Sequence, residues 1–527
     1  MTSAPAPVPM RHFRRWFPTL AALVLAAACA AAAAAQPPPD YHDEPGLPEG
    51  PAGERVQELL DALASGEPAR LRALVETAFA PGFRDAFPVA QHLDQLGEMH
   101  RRSRGFELHG LRRYDGESPV GPRRPGPRGA PPDAEDREEQ VVIVRNRLTG
   151  AWEALVLTLG PEPPHRIASL RLAPARPPHG LPAPGGLTRE ELVEELRGFV
   201  DRLAEADVFS GTVLLAGPDG EVLVEGAWGQ ASRRYLVPNR IDTRFNLGSM
   251  NKMFTAVAVL QLAELGKLAL DDPLSDYVGE DWLPTEITAK IRVEHLLTHT
   301  SGLGSYFTET FFDASRERFR ELQDYRPLVE GETLAFEPGT DWRYSNTGML
   351  LLGLVIEKAS GTGYFDYVRE NVYRPAGMTG SDSYDMDRPV PNLAMGHARE
   401  GGEWIENTFK HTIRGGPAGG GFSTAPDLLA FARALRAGKL VSPETAARLW
   451  SPKPELSSPD YGYGFGVGGT PEDRIVGHSG GFPGISSNLD LFLDSGFTAV
   501  VLSNVDGGSG PVTQKIRELV ARLSSRP

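Results

Sequence analysis

Cysteine and lysine are both scarce in this chain of 527 residues. Cys29 is its single cysteine, and only 8 lysines accompany 46 arginines. Wherever the chain needs a plain positive charge it therefore nearly always uses arginine, so the position of a lysine carries information. Acidic residues outnumber basic ones, and the formal net charge of −15 argues against nucleic acid and anionic lipid as partners.

The N-terminal segment has the pattern of a secretory signal. Three arginines precede an apolar run over residues 20–35, which ends in alanines that suit cleavage by a signal peptidase. We therefore expect residues 1–35 to be a signal peptide and the mature protein to be periplasmic or secreted. A membrane anchor is the alternative, although an alanine-dominated stretch is a marginal span. Cys29 lies in an imperfect lipoprotein box, so lipidation there stays open. Cleavage after residue 35 would leave no thiol, which excludes disulfides and cysteine catalysis.

The first lysine of the chain, Lys252, stands three positions after Ser249. A serine hydroxyl is a poor nucleophile until a neighbouring base takes its proton, and a buried lysine can be that base, whereas arginine cannot lose its proton. Residues i and i+3 of a helix project from the same face, so this spacing would bring the hydroxyl and the amine together. The spacing occurs once in the chain. The alternative is an ordinary helix start, with Ser249 as N-cap and Lys252 solvated.

The residues that follow favour a buried lysine. From position 250 to 262 the sequence MNKMFTAVAVLQL is apolar nearly all the way round, as in a helix enclosed by a large domain. Lys252 is the only charge in this stretch, and an unpaired buried ammonium is costly. We therefore expect Lys252 to be paired or neutral.

Two segments farther along the chain combine polar groups with glycines. Tyr344-Ser345-Asn346 follows a Pro-Gly turn and places a phenol and a carboxamide in one loop, with Ser345 expected to be structural. Residues 477–481, Gly-His-Ser-Gly-Gly, precede a predicted strand. Their glycines would let the backbone approach a ligand closely and expose amide donors.

The order Ser-x-x-Lys, Tyr-x-Asn and then a basic residue before Ser-Gly resembles the serine β-lactamase and penicillin-binding-protein superfamily. It is most similar to the branch related to class C β-lactamases, D-aminopeptidases and family VIII-type esterases. Residues 295–303 (HLLTHTSGL) and 420–428 (GGFSTAPDL) are similar to segments typical of that branch. The resemblance extends from about residue 187 to the C-terminus.

The resemblance implies a role for each matching residue. Ser249 would be the acylated nucleophile, Lys252 would share its proton, and Tyr344 would relay the proton to the leaving group. Asn346 would orient Lys252 and a substrate carbonyl, while the backbone amides of Ser249 and Gly481 would form the oxyanion hole. Each such amide donor contributes roughly 2.7–4 kcal/mol in comparable acyl-transfer sites.

His478 departs from the pattern, because many relatives have Lys-Thr-Gly where this chain has His-Ser-Gly. A lysine there is a fixed cation that holds a substrate carboxylate, whereas a histidine is largely neutral above its unperturbed pKa of about 6.5. We assign His478 to substrate binding. The change argues against recognition of a β-lactam carboxylate and leaves the acyl-transfer core intact.

Two competing motifs are weaker. Residues 477–481 also fit the Gly-x-Ser-x-Gly elbow of α/β-hydrolases with Ser479 as nucleophile, but that fold needs a later histidine and none follows His478. His295 and His299 have the i, i+4 spacing of metal ligands without the His-Glu-x-x-His pattern, and hydrogen-bonded histidines at a helix end explain them more simply. We therefore expect no metal and no organic cofactor.

The chain divides into a small N-terminal domain and a larger C-terminal one. A Pro-rich linker over residues 36–50 precedes helices and alternating strands within residues 51–173, a small α+β arrangement that resembles an NTF2-like, cone-shaped domain. A second linker, residues 174–186, leads to the domain of residues 187–527. Strands at both of its ends predict one antiparallel sheet assembled from both ends. An all-helical middle would pack on that sheet, with the active site in the seam. This α+β fold is the transpeptidase/β-lactamase-like architecture that the resemblance implies.

The sequence therefore predicts a periplasmic or secreted serine hydrolase that works through an acyl-enzyme on Ser249. Its substrate would be a small ester or amide, as for an esterase, a D-peptidase or a weak β-lactamase. The main alternative is a penicillin-recognising sensor that is acylated without turnover, and a third is an interaction module served by the N-terminal domain. Residues 305–334 and 381–407 are expected to shape the pocket. The natural substrate and the oligomeric state stay open.

Overall fold

The structure, a computed structural model, describes residues 40–114, 139–181 and 185–524. The expected signal peptide, Cys29 and the start of the first linker lie outside the described residues. Among the residues that are described, no helix is long and apolar enough to cross a membrane. Two large antiparallel sheets organise the chain, one of five strands near the N-terminus and one of six in the C-terminal part.

The N-terminal part is a five-stranded sheet with helices on one face. Its strands are β1 (Tyr41–Pro45), β2 (Phe106–Tyr114), β3 (Glu139–Asn146), β4 (Trp152–Leu159) and β5 (Ile167–Pro174). Its helices are α1 (Pro51–Ser65), α2 (Pro68–Ala78), α3 (Pro81–Arg84) and α4 (Val89–Ser103). The strands lie in sequence order, and each is antiparallel to its neighbours. This confirms a small α+β region, while its likeness to an NTF2-like domain stays a prediction.

Alternation along the strands decides which side of this sheet meets the helices. In β3, Val142 and Val144 pack against the helix leucines, whereas Val141 and Ile143 face the opposite side. The segment that the sequence places in a Pro-rich linker differs from expectation, because it supplies β1. The guanidinium of Arg112 on β2 donates to both carboxylate oxygens of Asp43 on β1, at 2.7 and 2.8 Å. A strand of five residues is too short to show a periodic pattern, and a contact between residues far apart in sequence cannot be read from neighbouring residues. The sequence therefore did not predict β1.

The C-terminal part contains the second sheet and most of the helices. Its strands are β6 (Gly211–Ala216), β7 (Val222–Trp228), β8 (Gln230–Ser232), β9 (Val237–Pro238), β10 (Phe245–Asn246), β11 (His397–Glu400), β12 (Glu403–Glu406), β13 (Phe422–Ser423), β14 (Gly466–Gly469), β15 (Arg474–Phe482), β16 (Ile485–Phe492) and β17 (Thr498–Ser503). Its helices are α5 (Arg189–Glu205), α6 (Asn251–Glu264), α7 (Thr285–Thr288), α8 (Val293–Leu297), α9 (Glu309–Asp313), α10 (Arg326–Val329), α11 (Asn346–Ser360), α12 (Tyr364–Val368), α13 (Arg374–Ala376), α14 (Ala425–Arg436), α15 (Pro443–Leu449) and α16 (Ser509–Ser524).

The six-stranded sheet is built from both ends of this part, as predicted. Its order is β14-β15-β16-β17-β6-β7, so the last strand of the chain pairs with the first strand of this sheet. Side chains alternate between two cores. Val213 and Val501 face α5 and α16, whereas Leu214 and Val500 face the helices of the middle segment. The sheet is therefore covered on both faces, with α6 and α11 packed in the larger core.

The middle segment is not wholly helical, which corrects the sequence expectation. Strands β11 and β12 form a hairpin, and β10 pairs with β13. The second pair has only two residues a strand, which is too short for any alternation to show in the sequence. The pair of β10 and β13 joins the residues just before Ser249 to those that follow a glycine-rich loop, residues 415–421. Both segments border the seam between the sheet and the helices.

Candidate active site

Ser249 lies in a tight 3-10 turn, Gly248–Met250, that runs directly into α6. The turn is started by Asn246, whose Oδ1 accepts a hydrogen bond from the Gly248 amide at 2.9 Å. Gly248 has a φ of 51°, a left-handed conformation that glycine adopts at little cost. Ser249 remains partly exposed, whereas the first ten residues of α6 are all buried. Ser249 therefore lies at the N-terminal end of a buried helix and remains partly accessible to solvent.

Lys252 is buried at 0% exposure, as its apolar surroundings predicted. Its Nζ donates to Asn346 Oδ1 at 3.0 Å and to the carbonyl of Ala418. The same atom lies 4.7 Å from the centroid of the Tyr344 ring. These oxygens carry no formal charge, and burial lowers the pKa of Lys252 well below its usual value. The environment thus favours a neutral amine, the form that can accept a proton.

A glycine-rich loop, residues 415–421 (GGPAGGG), surrounds the start of α6. The carbonyls of its residues Gly416 to Ala418 accept hydrogen bonds from three side chains of α6, those of Asn251, Lys252 and Thr255. The loop thereby places the Ala418 carbonyl where it holds the amine. The motifs in the sequence did not indicate this role, although five glycines in seven residues are a signal of close backbone approach.

The Tyr344-Ser345-Asn346 segment is positioned by its central serine. Ser345 caps α11, because its Oγ accepts from the Gly348 amide at 2.8 Å and donates to the Gly304 carbonyl at 2.8 Å. The structural role predicted for Ser345 is therefore confirmed. With Ser345 turned into the protein, Asn346 contacts Lys252 and also donates through Nδ2 to Ser305 Oγ at 3.1 Å. The structure brings the phenol, the carboxamide and the amine together.

The glycines of β15 let this strand touch the serine turn. Strand β14 pairs only with residues 474–477, so the rest of β15 has no neighbour on that edge among the strands of the described residues. A Cβ on Gly480 would lie 1.8 Å from the Leu247 carbonyl oxygen, and one on Gly248 would lie 2.9 Å from the Gly481 amide nitrogen. The amides of Ser249 and Gly481 thus lie on two segments in direct contact, as an oxyanion hole requires. Their role as donors to a substrate stays a prediction.

His478 occupies the third motif as a half-buried, neutral side chain. Its Nε2 is 2.9 Å from the hydroxyl of Tyr461. Burial, with a smaller contribution from the nearby Lys252, lowers the pKa of His478 to about 3. A fixed cation is therefore missing at this position near neutral pH, which agrees with the contrast drawn from the sequence.

His299 also belongs to this site, which the sequence did not indicate. Its ring is buried, 4.4 Å from the ring of Tyr344 and 4.8 Å from that of Tyr461 between centroids. Its Nδ1 accepts a hydrogen bond from the Ser345 amide at 3.2 Å, and burial lowers its pKa well below the usual value. The similarity of residues 295–303 to a family segment was the signal that could have found it.

His295, by contrast, has a separate hydrogen bond at the start of α8. Its Nδ1 accepts from the Arg292 amide at 3.1 Å. Within the described ranges, no group of three or more histidine, cysteine or acidic side chains is placed to hold a metal ion.

The burial of Lys252 predicts a specific pH dependence of stability. Between its depressed folded pKa and its usual value of 10.5, the unfolded chain binds a proton that the folded chain does not. The free energy of unfolding should therefore rise with pH, by up to about 1.4 kcal/mol per pH unit from this group. We expect the unfolding free energy of the wild type minus that of Lys252→Met to increase from pH 7 to pH 9 in urea titrations. A difference independent of pH would mean that Lys252 is charged in the fold.

Comparisons with known proteins agree with this geometry. The family described as Beta-lactamase matches residues 196–522. Penicillin-binding protein 4* of Bacillus subtilis (strain 168) is 32% identical over 328 residues, which are 59% of this chain and 71% of that protein. Esterase EstB of Burkholderia gladioli is 29% identical over 385 residues, 64% of this chain and 97% of the esterase.

A solved structure shows the same likeness in three dimensions. A penicillin binding protein from Bacillus halodurans is 31% identical with a TM-score of 0.56, over 63% of this chain and 99% of that one. It supports the assignment of the six-stranded sheet and its helical partner to the fold of penicillin-binding proteins and β-lactamases. The chain belongs to the Beta-lactamase family.

Proposed function

We propose that this protein is a periplasmic or secreted serine hydrolase that cleaves a small ester or amide through an acyl-enzyme on Ser249. The observation that carries the proposal is the buried amine of Lys252. It is held beside Asn346 and Tyr344 by uncharged partners, one turn along the helix from Ser249. A buried lysine that is costly to the fold is best explained by a reaction that needs a neutral amine. The similarity to an esterase and to penicillin-binding proteins supports acyl transfer.

In acylation, Ser249 Oγ attacks the carbonyl carbon of the substrate while its proton passes to the Lys252 amine. The carbonyl electron pair moves onto oxygen, and the amides of Ser249 and Gly481 stabilise that charge. When the intermediate collapses, the bond to the leaving group breaks. Tyr344 passes a proton to the departing oxygen or nitrogen and is reprotonated from Lys252.

Deacylation repeats these transfers with water as the nucleophile. Water attacks the ester carbonyl of the acyl-enzyme, and its proton moves to the base formed by Lys252 and Tyr344. The bond from the carbonyl carbon to Ser249 Oγ then breaks, and Oγ recovers a proton. The products are the carboxylic acid and the free enzyme, so neither a metal nor an organic cofactor enters the proposed cycle.

The test is covalent labelling of the full chain. A fluorophosphonate probe should attach to one serine, and peptide mapping should place it at Ser249, while Ser249→Ala should stay unlabelled. The wild type should release p-nitrophenol from p-nitrophenyl acetate continuously. Labelling at another serine, or equal turnover by Ser249→Ala, would overturn the proposal.

A penicillin-recognising protein that is acylated without turnover is the second candidate, favoured by the similarity to penicillin-binding proteins. Intact mass after a short incubation with nitrocefin separates the two. A lasting adduct of one nitrocefin per chain, without continued release of the opened product or of p-nitrophenol, would support this second function. Turnover of either compound with no lasting adduct would support the hydrolase.

Changing His478 to lysine should alter substrate choice. A lysine at this position would be a fixed cation facing the site, so we expect His478→Lys to raise kcat/KM for a carboxylate-bearing ester relative to its neutral methyl ester by about tenfold. The matched control is His478→Gln, which is neutral and can keep a hydrogen bond to Tyr461. Competition between the two esters measures the ratio directly. If the ratio of kcat/KM for the two esters is the same in both variants, the charge at position 478 does not determine substrate choice.

The location of the mature chain is also a proposal. It is supported by the arginines and the apolar run over residues 20–35. N-terminal sequencing of the exported protein should find residue 36 first. A lipid-modified Cys29 at the new N-terminus would instead show a lipoprotein.

A further inference from the structure

Two phenylalanine rings stand at the edge of the proposed site, and we call them the aromatic wall. They belong to Phe307 and Phe482, whose ring centroids are 5.6 Å apart. Both residues are half-buried, so part of each ring faces outward. Phe482 directly follows Gly481 on β15. Phe307 follows by two residues Ser305, which accepts the hydrogen bond from Asn346.

The wall is backed by fully packed aromatic side chains. Phe307 lies 4.6 Å from Tyr306 and 4.9 Å from Phe311 between ring centroids, and both of these residues are buried. Aromatic rings at such distances attract each other beyond simple burial. Phe307 is therefore held in place before any ligand arrives.

Polar contacts fix the two segments that carry the wall. Arg316 donates to the carbonyls of Phe312 and Ala314, at 3.1 and 2.6 Å, and so fixes the short helix α9 that follows Phe307. On the other side, Asn407 Nδ2 donates to the Pro483 carbonyl at 2.8 Å, directly after Phe482. A surface fixed in this way loses little conformational entropy when it binds a ligand.

The position of the wall shows which side of the substrate it would meet. Phe482 directly follows Gly481, and Phe307 lies two residues after Ser305, which contacts Asn346; Gly481 and Asn346 are the groups that would hold the substrate carbonyl. Tyr344, which would protonate the leaving group, packs instead with the two histidines, His299 and His478. The rings should therefore contact the acyl portion and not the leaving group.

We propose that the aromatic wall binds an uncharged aromatic acyl group, so that the substrate class is an ester or amide of an arylalkanoic acid. The inference rests on the proposed function, because it assigns the acyl subsite of that reaction. The partly exposed rings supply apolar contact and offer no charged partner for a carboxylate on the acyl group.

Three esters with simple leaving groups test this assignment. Ethyl phenylacetate carries a ring on the acyl side, benzyl acetate carries it on the leaving group, and ethyl acetate has none. With the full chain and acid release followed by pH-stat, kcat/KM for ethyl phenylacetate should exceed that for each of the other two by about tenfold. Phe307→Ala and Phe482→Ala should each reduce this preference to less than about threefold.

A matched control and milder variants keep the test decisive. Phe83 is also half-buried and stacks on Phe79 at 4.9 Å, but it lies in the N-terminal part, so Phe83→Ala should retain the preference. If either alanine variant fails to fold, Phe307→Leu or Phe482→Leu should show a smaller loss of preference in the same direction.

The same measurements distinguish a wrong acyl subsite from a wrong proposed function. Equal rates for all three esters, or a preference for benzyl acetate, would overturn the acyl subsite while leaving a Ser249-dependent hydrolase. An unchanged preference in both wall variants would overturn it as well. Absence of Ser249-dependent hydrolysis of every ester would remove the proposed function itself and the subsite with it.

Discussion

Replacing Lys252 with methionine is expected to lower kcat/KM for ester hydrolysis by about 10³-fold, because the variant loses the group that accepts the serine proton. Methionine fills most of the same buried volume, so the helix should remain packed. It leaves Asn346 Oδ1 and the Ala418 carbonyl without their donor, which adds a local cost to stability. Steady-state hydrolysis of p-nitrophenyl acetate near neutral pH measures the loss.

Lys252→Arg is the matched control, because arginine supplies a cation and hydrogen-bond donors but cannot give up its proton. If proton transfer is the role of Lys252, the arginine variant should be as inactive as the methionine variant. If the residue only supplies positive charge, the arginine variant should retain much of the wild-type rate. The second result would contradict the mechanism proposed here. Circular dichroism of each variant confirms that the comparison is made between folded proteins.

Replacing Gly480 with alanine is expected to lower kcat/KM by about 10²-fold, since it would push β15 away from the serine turn. Its Cβ would lie 1.8 Å from the Leu247 carbonyl oxygen and 2.5 Å from Ser487 Oγ. Ser487 Oγ itself donates to that carbonyl at 2.7 Å, so both neighbours are already held in place. The separation of the amides of Ser249 and Gly481 would change. We also expect a loss of about 1–3 kcal/mol in the free energy of unfolding.

Gly468→Ala on the neighbouring strand is the control for Gly480→Ala. In the part of the chain that the structure describes, no atom lies within 4 Å of a Cβ at Gly468, so this change should leave both activity and stability close to wild type. Urea unfolding and ester hydrolysis of the two variants give the comparison. A Gly480→Ala variant with wild-type activity would show that contact between β15 and the turn does not position the reacting groups.

Local pattern predicted the parts of the fold that repeat regularly. The antiparallel sheet assembled from both ends of the C-terminal part was predicted, because its strands lie between turn residues and give a strong local signal. Thr188 caps α5, because its Oγ1 accepts from the Glu191 amide at 3.1 Å. Strand β1 and the pair β10 with β13 were not found, because strands of two to five residues carry no periodicity.

The sequence by itself determined that a serine and a lysine lie one turn apart at the start of a buried apolar helix, since helical spacing and hydrophobicity are properties of neighbouring residues. It also indicated that a tyrosine, an asparagine and a glycine pair belong with them, through their order along the chain. Only the tertiary structure decided which groups complete the site. The Ala418 carbonyl, the His299 ring and the Tyr461 hydroxyl come from segments far apart in sequence. These groups come together through the conformations of the loops and through backbone contacts between glycines. Such contacts cannot be predicted from the pattern of neighbouring residues.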